Sequence, residues 1–330
     1  MENRKKDHID LAFQSQTLRD EIDNRFYYEP MMSRHPEAIP GNFFLAGKRQ
    51  RVPIWISSMT GGTELAGKIN RNLARVAREF GMGMGLGSCR IILDDDKHLP
   101  DFNMRDELGN DLPFFANLGI AQVEQMIAKK ELGKIDALLS KLRADGLIIH
   151  VNPLQEWFQP EGDKLLRPAI ESVEIVLAQA GYPLIVKEVG QGMGMESLRA
   201  LLQLPLESVE FAAFGGTNFA KVELLRASES MQQLFEPLSR VGHDAFQMTE
   251  MVNAIVREGN VQCKNIIVSG GIKTFLDGYY LIKKSLLPAI YGQASGFLKY
   301  AKEDYEQLRN YTEHQIKGLE LAYSFLRIRE

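Results

Sequence analysis

The sequence predicts an α/β protein built as a (β/α)8 TIM barrel, and three observations carry that prediction. Eight apolar runs of strand length recur along the chain, segments of helical periodicity lie between them, and the runs end in glycine or polar clusters. Alternating strands and helices imply parallel pairing through right-handed crossovers. A barrel gathers the C-terminal ends of its strands into one functional mouth, which gives eight polar strand ends a common purpose.

The elements follow in order. Residues 1–52 precede the first strand and are expected to form an N-terminal arm and lid packed on the barrel, which spans 53–330. The first two strands are PIWISSM (53–59), leading into MTGG, and MGMGLG (82–87), leading into GSCR, with a helix over 66–80 between them. PFFANLG (113–119) is the third strand and GLIIHVN (146–152) the fourth, separated by a helix over 135–144. A helix over 167–180 leads to PLIVKEVG (183–190), and SVEFAAFGG (208–216) is the sixth strand. The stretch 217–262 is an insertion between strands 6 and 7. NIIVSGG (265–271), a helix over 275–287, AIYGQA (289–294) and a last helix over 303–326 complete the ring. A barrel usually takes about 250 residues, so the N-terminal extension and the insertion house the surplus. A doubly wound open sheet competes, because sequence alone does not show closure.

Composition bounds the function. Apolar residues make up 45% and charged residues 25% of the 330, as in soluble globular proteins. A net charge of −4 supplies no general attraction to nucleic acid or to an anionic membrane, so an anionic partner needs a local patch. Two cysteines, Cys89 and Cys263, are too few for a disulfide framework and fit a reducing compartment. The first residues lack the apolar core of a signal peptide, and no apolar run is long enough to span a membrane, so a cytoplasmic protein is expected.

The strand ends carry the candidate chemistry. Ser269-Gly270-Gly271 and Gln293-Ala294-Ser295 follow strands seven and eight, where barrels often hold a phosphate; a plain tight turn is the other reading. Lys187 closes an apolar strand, and three readings stand for it: a Schiff-base lysine, a cation beside an electron-rich cofactor, or a structural partner of Glu188. His150 and Asn152 share one face of the fourth strand, with Gln155 and Glu156 just beyond. A lone carboxylate such as Glu156 suits Mg²⁺ bridging to a substrate phosphate, or it is a solvated loop acid. Arg90 can hold a phosphate bidentately. Arg4, Lys5, Lys6 and His8 form a basic arm, which as a terminus is most simply solvated. Neither a Rossmann GxGxxG nor a GxSxG elbow is present, and few side chains look like a matched acid and base, which points to cofactor chemistry.

Taken together these motifs resemble the type 2 isopentenyl-diphosphate isomerase family. The resemblance runs in order through RKKDH (4–8), MTGGT (59–63), GSCR (87–90), NLG (117–119), HVNPLQE (150–156), QPEGD (159–163), KEVG (187–190), GGT (215–217) and SGGI (269–272), and so covers most of the chain. It implies a barrel that binds FMN, requires Mg²⁺ and NADPH or NADH, and assembles as a homotetramer or homo-octamer. It implies FMN contacts at Met59, Thr60, Gly61, Ser88, Asn117, Lys187, Thr217, Gly270, Gly271, Ala294 and Ser295. The substrate diphosphate is implied at Arg4, Lys5, His8, Ser88, Arg90 and Gln155, the catalytic group at Gln155, His150 and Asn152, and the Mg²⁺ ligand at Glu156. The implied reaction moves a double bond by adding one proton and removing another, with reduced flavin as the acid and base, and the arm would close the mouth over the substrate. The chain departs from the family pattern at Cys89, at Asn218-Phe219, at Ala212 and at the end of strand eight, which lacks the usual arginine-proline. A hydroxy-acid or nucleotide oxidoreductase of the same fold, and a flavin-binding sensor without turnover, are the rival readings.

Overall fold

The computed structural model describes residues 2–58 and 60–329. Eight strands form one closed, all-parallel barrel: β1 (Ile54–Ile56), β2 (Gly83–Gly85), β3 (Phe114–Gly119), β4 (Gly146–His150), β5 (Leu184–Lys187), β6 (Ser208–Glu210), β7 (Asn265–Ser269) and β8 (Ala289–Gln293). Each pairs with the next, and β8 closes on β1 with Tyr291 opposite Ile54. Every one of them lies within its expected run, and closure decides against the open sheet.

Strand periodicity explains how the barrel is filled. Trp55, Phe115, Ile148, Ile185, Ile267 and Ile290 form one buried apolar cluster. Side chains two residues apart share a face, so the next inward positions are Ser57, Asn117, His150, Lys187 and Ser269. One register step thus turns an oily layer into a polar floor. Trp55 fills the space β2 leaves: a Cβ at Gly83 would lie 2.6 Å from its ring, so glycine is required there.

The N-terminal residues divide. Glu2–Leu11 is a helix, and residues 4–21 are exposed throughout. Arg25 bonds Asp277 of the helix Phe275–Lys284 at 2.8 Å, and Phe26–Tyr28 pairs with the C-terminal strand Leu326–Ile328. The hairpin Phe43–Leu45/Lys48–Gln50 then drives fully buried Leu45 into the apolar barrel cluster, a burial worth about 1.5–3 kcal/mol. Residues 43–50 therefore serve the end of the barrel away from the mouth, and any lid is left to residues before Arg25.

The insertion is shorter than the sequence suggests. Ala245–Glu258 packs on Met195–Leu202 as a ring helix. The true extra segment holds Phe219–Arg226, Glu229–Phe235 and a short 3-10 turn to Arg240. The last helix, Tyr305–Phe325, packs between Glu64–Phe80 and Phe275–Lys284 and closes the ring. No helix among the described residues is long and apolar enough to cross a membrane.

Candidate active site

A cleft opens at the C-terminal ends of β5 to β8 and β1. Lys187, Thr217, Gly270, Gly271, Ala294 and Ser295, six of the expected cofactor contacts, line it. Its rim is a backbone cradle. Gly215, Gly270 and Gly271 have φ of 108°, 88° and 73°, in the region that favours glycine. A Cβ at Gly270 would stand 2.2 Å from the backbone nitrogen and oxygen of Ala213. Gly270→Ala is therefore expected to cost at least about 1–2 kcal/mol for the backbone conformation alone. The same change should lower the melting temperature, as thermal melts would show; an unchanged melt would show that this backbone conformation is not required.

Among the described residues, the cleft also holds buried polar oxygens without partners: Ser57 Oγ, Ser58 Oγ and Glu210 Oε2. Such atoms are costly unless a ligand completes them. Lys187 is buried and donates to the Glu188 backbone carbonyl at 2.8 Å. The Glu188 carboxylate instead accepts the backbone N–H groups of Gly190, Gln191 and Gly192 at 2.6, 2.6 and 3.0 Å. Burial still pushes that carboxyl up. The Lys187–Glu188 side-chain pair is thus absent among the described residues, and the lysine charge stays available to the cleft.

The opposite wall comes from β3 and β4. The Asn117 amide nitrogen donates to the Leu86 carbonyl at 3.0 Å, so its oxygen faces His150 Nδ1 at 2.8 Å. That oxygen can only accept, so Nδ1 carries the proton and Nε2 presents a lone pair. Burial, helped by the Lys187 charge, lowers the imidazole from 6.5 to about 3. The unfolded chain then binds a proton that the folded chain refuses between those values. Stability should fall as pH drops below about 6.5, and His150→Asn should flatten that loss in melts between pH 7 and 4. Parallel curves for the two proteins would contradict it.

Pro153–Phe158 is a helix whose N-cap is Asn152. The Asn152 amide nitrogen donates to Gln155 Oε1 at 3.2 Å and to Glu156 Oε1 at 3.1 Å. Glu156 Oε2 accepts the Asp163 N–H at 3.0 Å. The Asp163 carboxylate holds Arg90 at 3.3 Å. One residue of this wall escaped the sequence reading. Glu223, on the inserted helix, accepts Gln155 Nε2 at 3.4 Å and Gln159 Nε2 at 3.0 Å. The Gln155 amide is held at both ends.

Thr60 and Gly61 are partly exposed, and Ser88 and Arg90 are exposed. Met59 lies outside the described residues. Arg4, Lys5 and His8 are exposed on the N-terminal helix and form no ion pair among the described residues. Cys89 is fully buried, and burial pushes its thiol up to about 12, which suits an inert core thiol rather than a redox switch.

The geometry defines a (β/α)8 barrel with a candidate site at its mouth, one side a glycine-rich cleft and the other the β3 and β4 ends with Asn117, His150, Gln155 and Glu156. No family model matches the chain. The isopentenyl-diphosphate delta-isomerases of Rickettsia felis and Rickettsia akari are each 33% identical to it over 303 residues, covering 90% of this chain and 85% of theirs. The chain belongs to the isopentenyl-diphosphate delta-isomerase family. Among solved structures, a flavocytochrome b2 mutant with sulfite bound matches at TM-score 0.62 and 13% identity, covering 95% of this chain and 77% of that one. A mandelate oxidase mutant with an FMN adduct matches at TM-score 0.57 and 16% identity, covering 92% and 88%. These two likenesses bear on the fold alone.

Proposed function

We propose that the protein interconverts isopentenyl and dimethylallyl diphosphate with reduced FMN in the cleft and Mg²⁺ on Glu156. One observation carries the flavin reading: a glycine cradle, a buried lysine and three unpartnered oxygens share a single cleft beside the Gln155 wall. The residues fit the nucleotide, since the cradle offers backbone N–H groups to a phosphate and the free oxygens suit a polyhydroxylated ligand. They also fit Mg²⁺. Each Glu156 oxygen accepts one hydrogen bond and keeps a lone pair that would serve a cation, with substrate phosphate and water needed to complete its shell. No cluster of three His, Cys, Asp or Glu is present among the described residues to hold a metal by protein alone.

Bound reduced flavin would supply an acidic or basic N–H and an electron-rich face that tolerates positive charge. The chain's residues do the rest. Lys187 sets a positive charge in the cleft. Asn152 and Glu223 hold the Gln155 amide, which orients the alkene end of the substrate. Neutral His150 offers Nε2 as an acceptor. Arg90, fixed by Asp163, binds the diphosphate with the arm residues Arg4, Lys5 and His8.

NADPH or NADH is the proposed source of reducing equivalents, and a cytoplasmic homotetramer or homo-octamer the proposed form. The deciding assay combines protein, dithionite-reduced FMN, Mg²⁺ and isopentenyl diphosphate, with dimethylallyl diphosphate followed by NMR. Product under anaerobic conditions with only catalytic NADPH supports the isomerase. Stoichiometric NADPH consumption supports an oxidoreductase, and absence of any product supports a sensor.

A further inference from the structure

Glu210 ends β6, is fully buried and lines the cleft. Its Oε1 accepts the Ser269 hydroxyl at 3.2 Å. That hydroxyl is itself oriented, because its oxygen accepts the Ala212 N–H at 2.9 Å. Glu210 Oε2 has no partner among the described residues. Lys187 stands opposite it in the ladder, but the ammonium turns to the Glu188 carbonyl. A carboxylate accepts and does not donate, so the free oxygen needs a ligand that brings a hydroxyl or an N–H. Position narrows the choice. Glu210 lies between Ser269, which leads into the Gly270-Gly271 cradle, and Lys187. A ligand anchored by its phosphate in that cradle passes Glu210 before it reaches the lysine. The part of a flavin nucleotide between phosphate and ring is a chain of hydroxyls.

We propose that Glu210 Oε2 accepts a hydrogen bond from the polyol chain of the bound flavin nucleotide, so that the cleft selects a hydroxylated linker. The inference rests on the flavin reading above. Ser57 and Ser58, whose hydroxyls also lack partners in this cleft, are placed to meet the same chain.

The test compares two probes on the full-length protein. One is FMN, and the other carries the same ring and phosphate on an alkyl chain without hydroxyls. Binding is read from flavin fluorescence. Wild type should prefer FMN by about tenfold or more, as expected for a hydrogen bond to a charged group. Glu210→Met, which keeps volume but removes the acceptor, should bring the two affinities close together. Glu210→Gln, which keeps the shape, should narrow the gap partially and serves if the methionine variant does not fold. An unchanged preference in a variant that binds flavin overturns the proposal. Equal loss of both probes also overturns it, since that marks a structural role. If wild type takes up neither probe, the flavin reading itself fails.

Discussion

Glu156→Gln is expected to lower turnover by on the order of 100-fold while the proposed FMN stays bound. The carboxylate is the proposed protein ligand to Mg²⁺, and its neutral isostere loses the charge that holds the cation against the diphosphate. The change also costs a local bond. Glu156 accepts from the Asn152 side chain and from the Asp163 backbone, whereas the amide offers only one acceptor to those two donors. A Mg²⁺ titration separates the effects. A metal ligand predicts that the variant no longer responds to added Mg²⁺ in the range that activates wild type. A normal Mg²⁺ response with a lowered melting temperature would show that Glu156 merely fastens the turn.

Removing residues 1–8 is expected to raise KM by at least about 100-fold, with binding of the proposed FMN and folding unchanged. Arg4, Lys5 and His8 are exposed on a helix that is itself exposed, so the folded state does not depend on them. Their value would come only with substrate, as charge-assisted hydrogen bonds to the diphosphate worth about 1.5–3 kcal/mol each. The chain first docks at Arg25, which lines a groove with Gly270 and Gly271. The arm is thus tethered beside the proposed phosphate cradle, within reach of the mouth. Wild-type kinetics in the truncated protein would refute the lid. A loss of FMN along with KM would place the arm on the cofactor instead.

Much of this site was legible in the sequence because strand residues report their own facing. Lys187, a charge ending an apolar strand, announced itself, and His150 and Asn152 were spaced for one side of theirs. Glu210 sends the same signal as Lys187, an acid inside SVEFAAF, yet its importance shows only when the fold leaves one of its carboxylate oxygens unpaired beside the cleft. Glu223 could not be read at all, since 68 residues separate it from the Gln155 amide it holds. Nothing in QPEGD names a partner for Asp163, and only the fold brings Arg90 onto it.

The sequence by itself determined the class of fold, the eight strand termini and the residue types gathered there, because apolar periodicity and strand alternation are local properties. Tertiary structure decided what distance along the chain conceals. It closed the sheet, sent the 43–50 hairpin to the far end of the barrel and fixed the His150 tautomer through Asn117. It also left Glu210 with an unpaired oxygen, since whether a buried polar atom is satisfied depends on neighbours contributed by other strands.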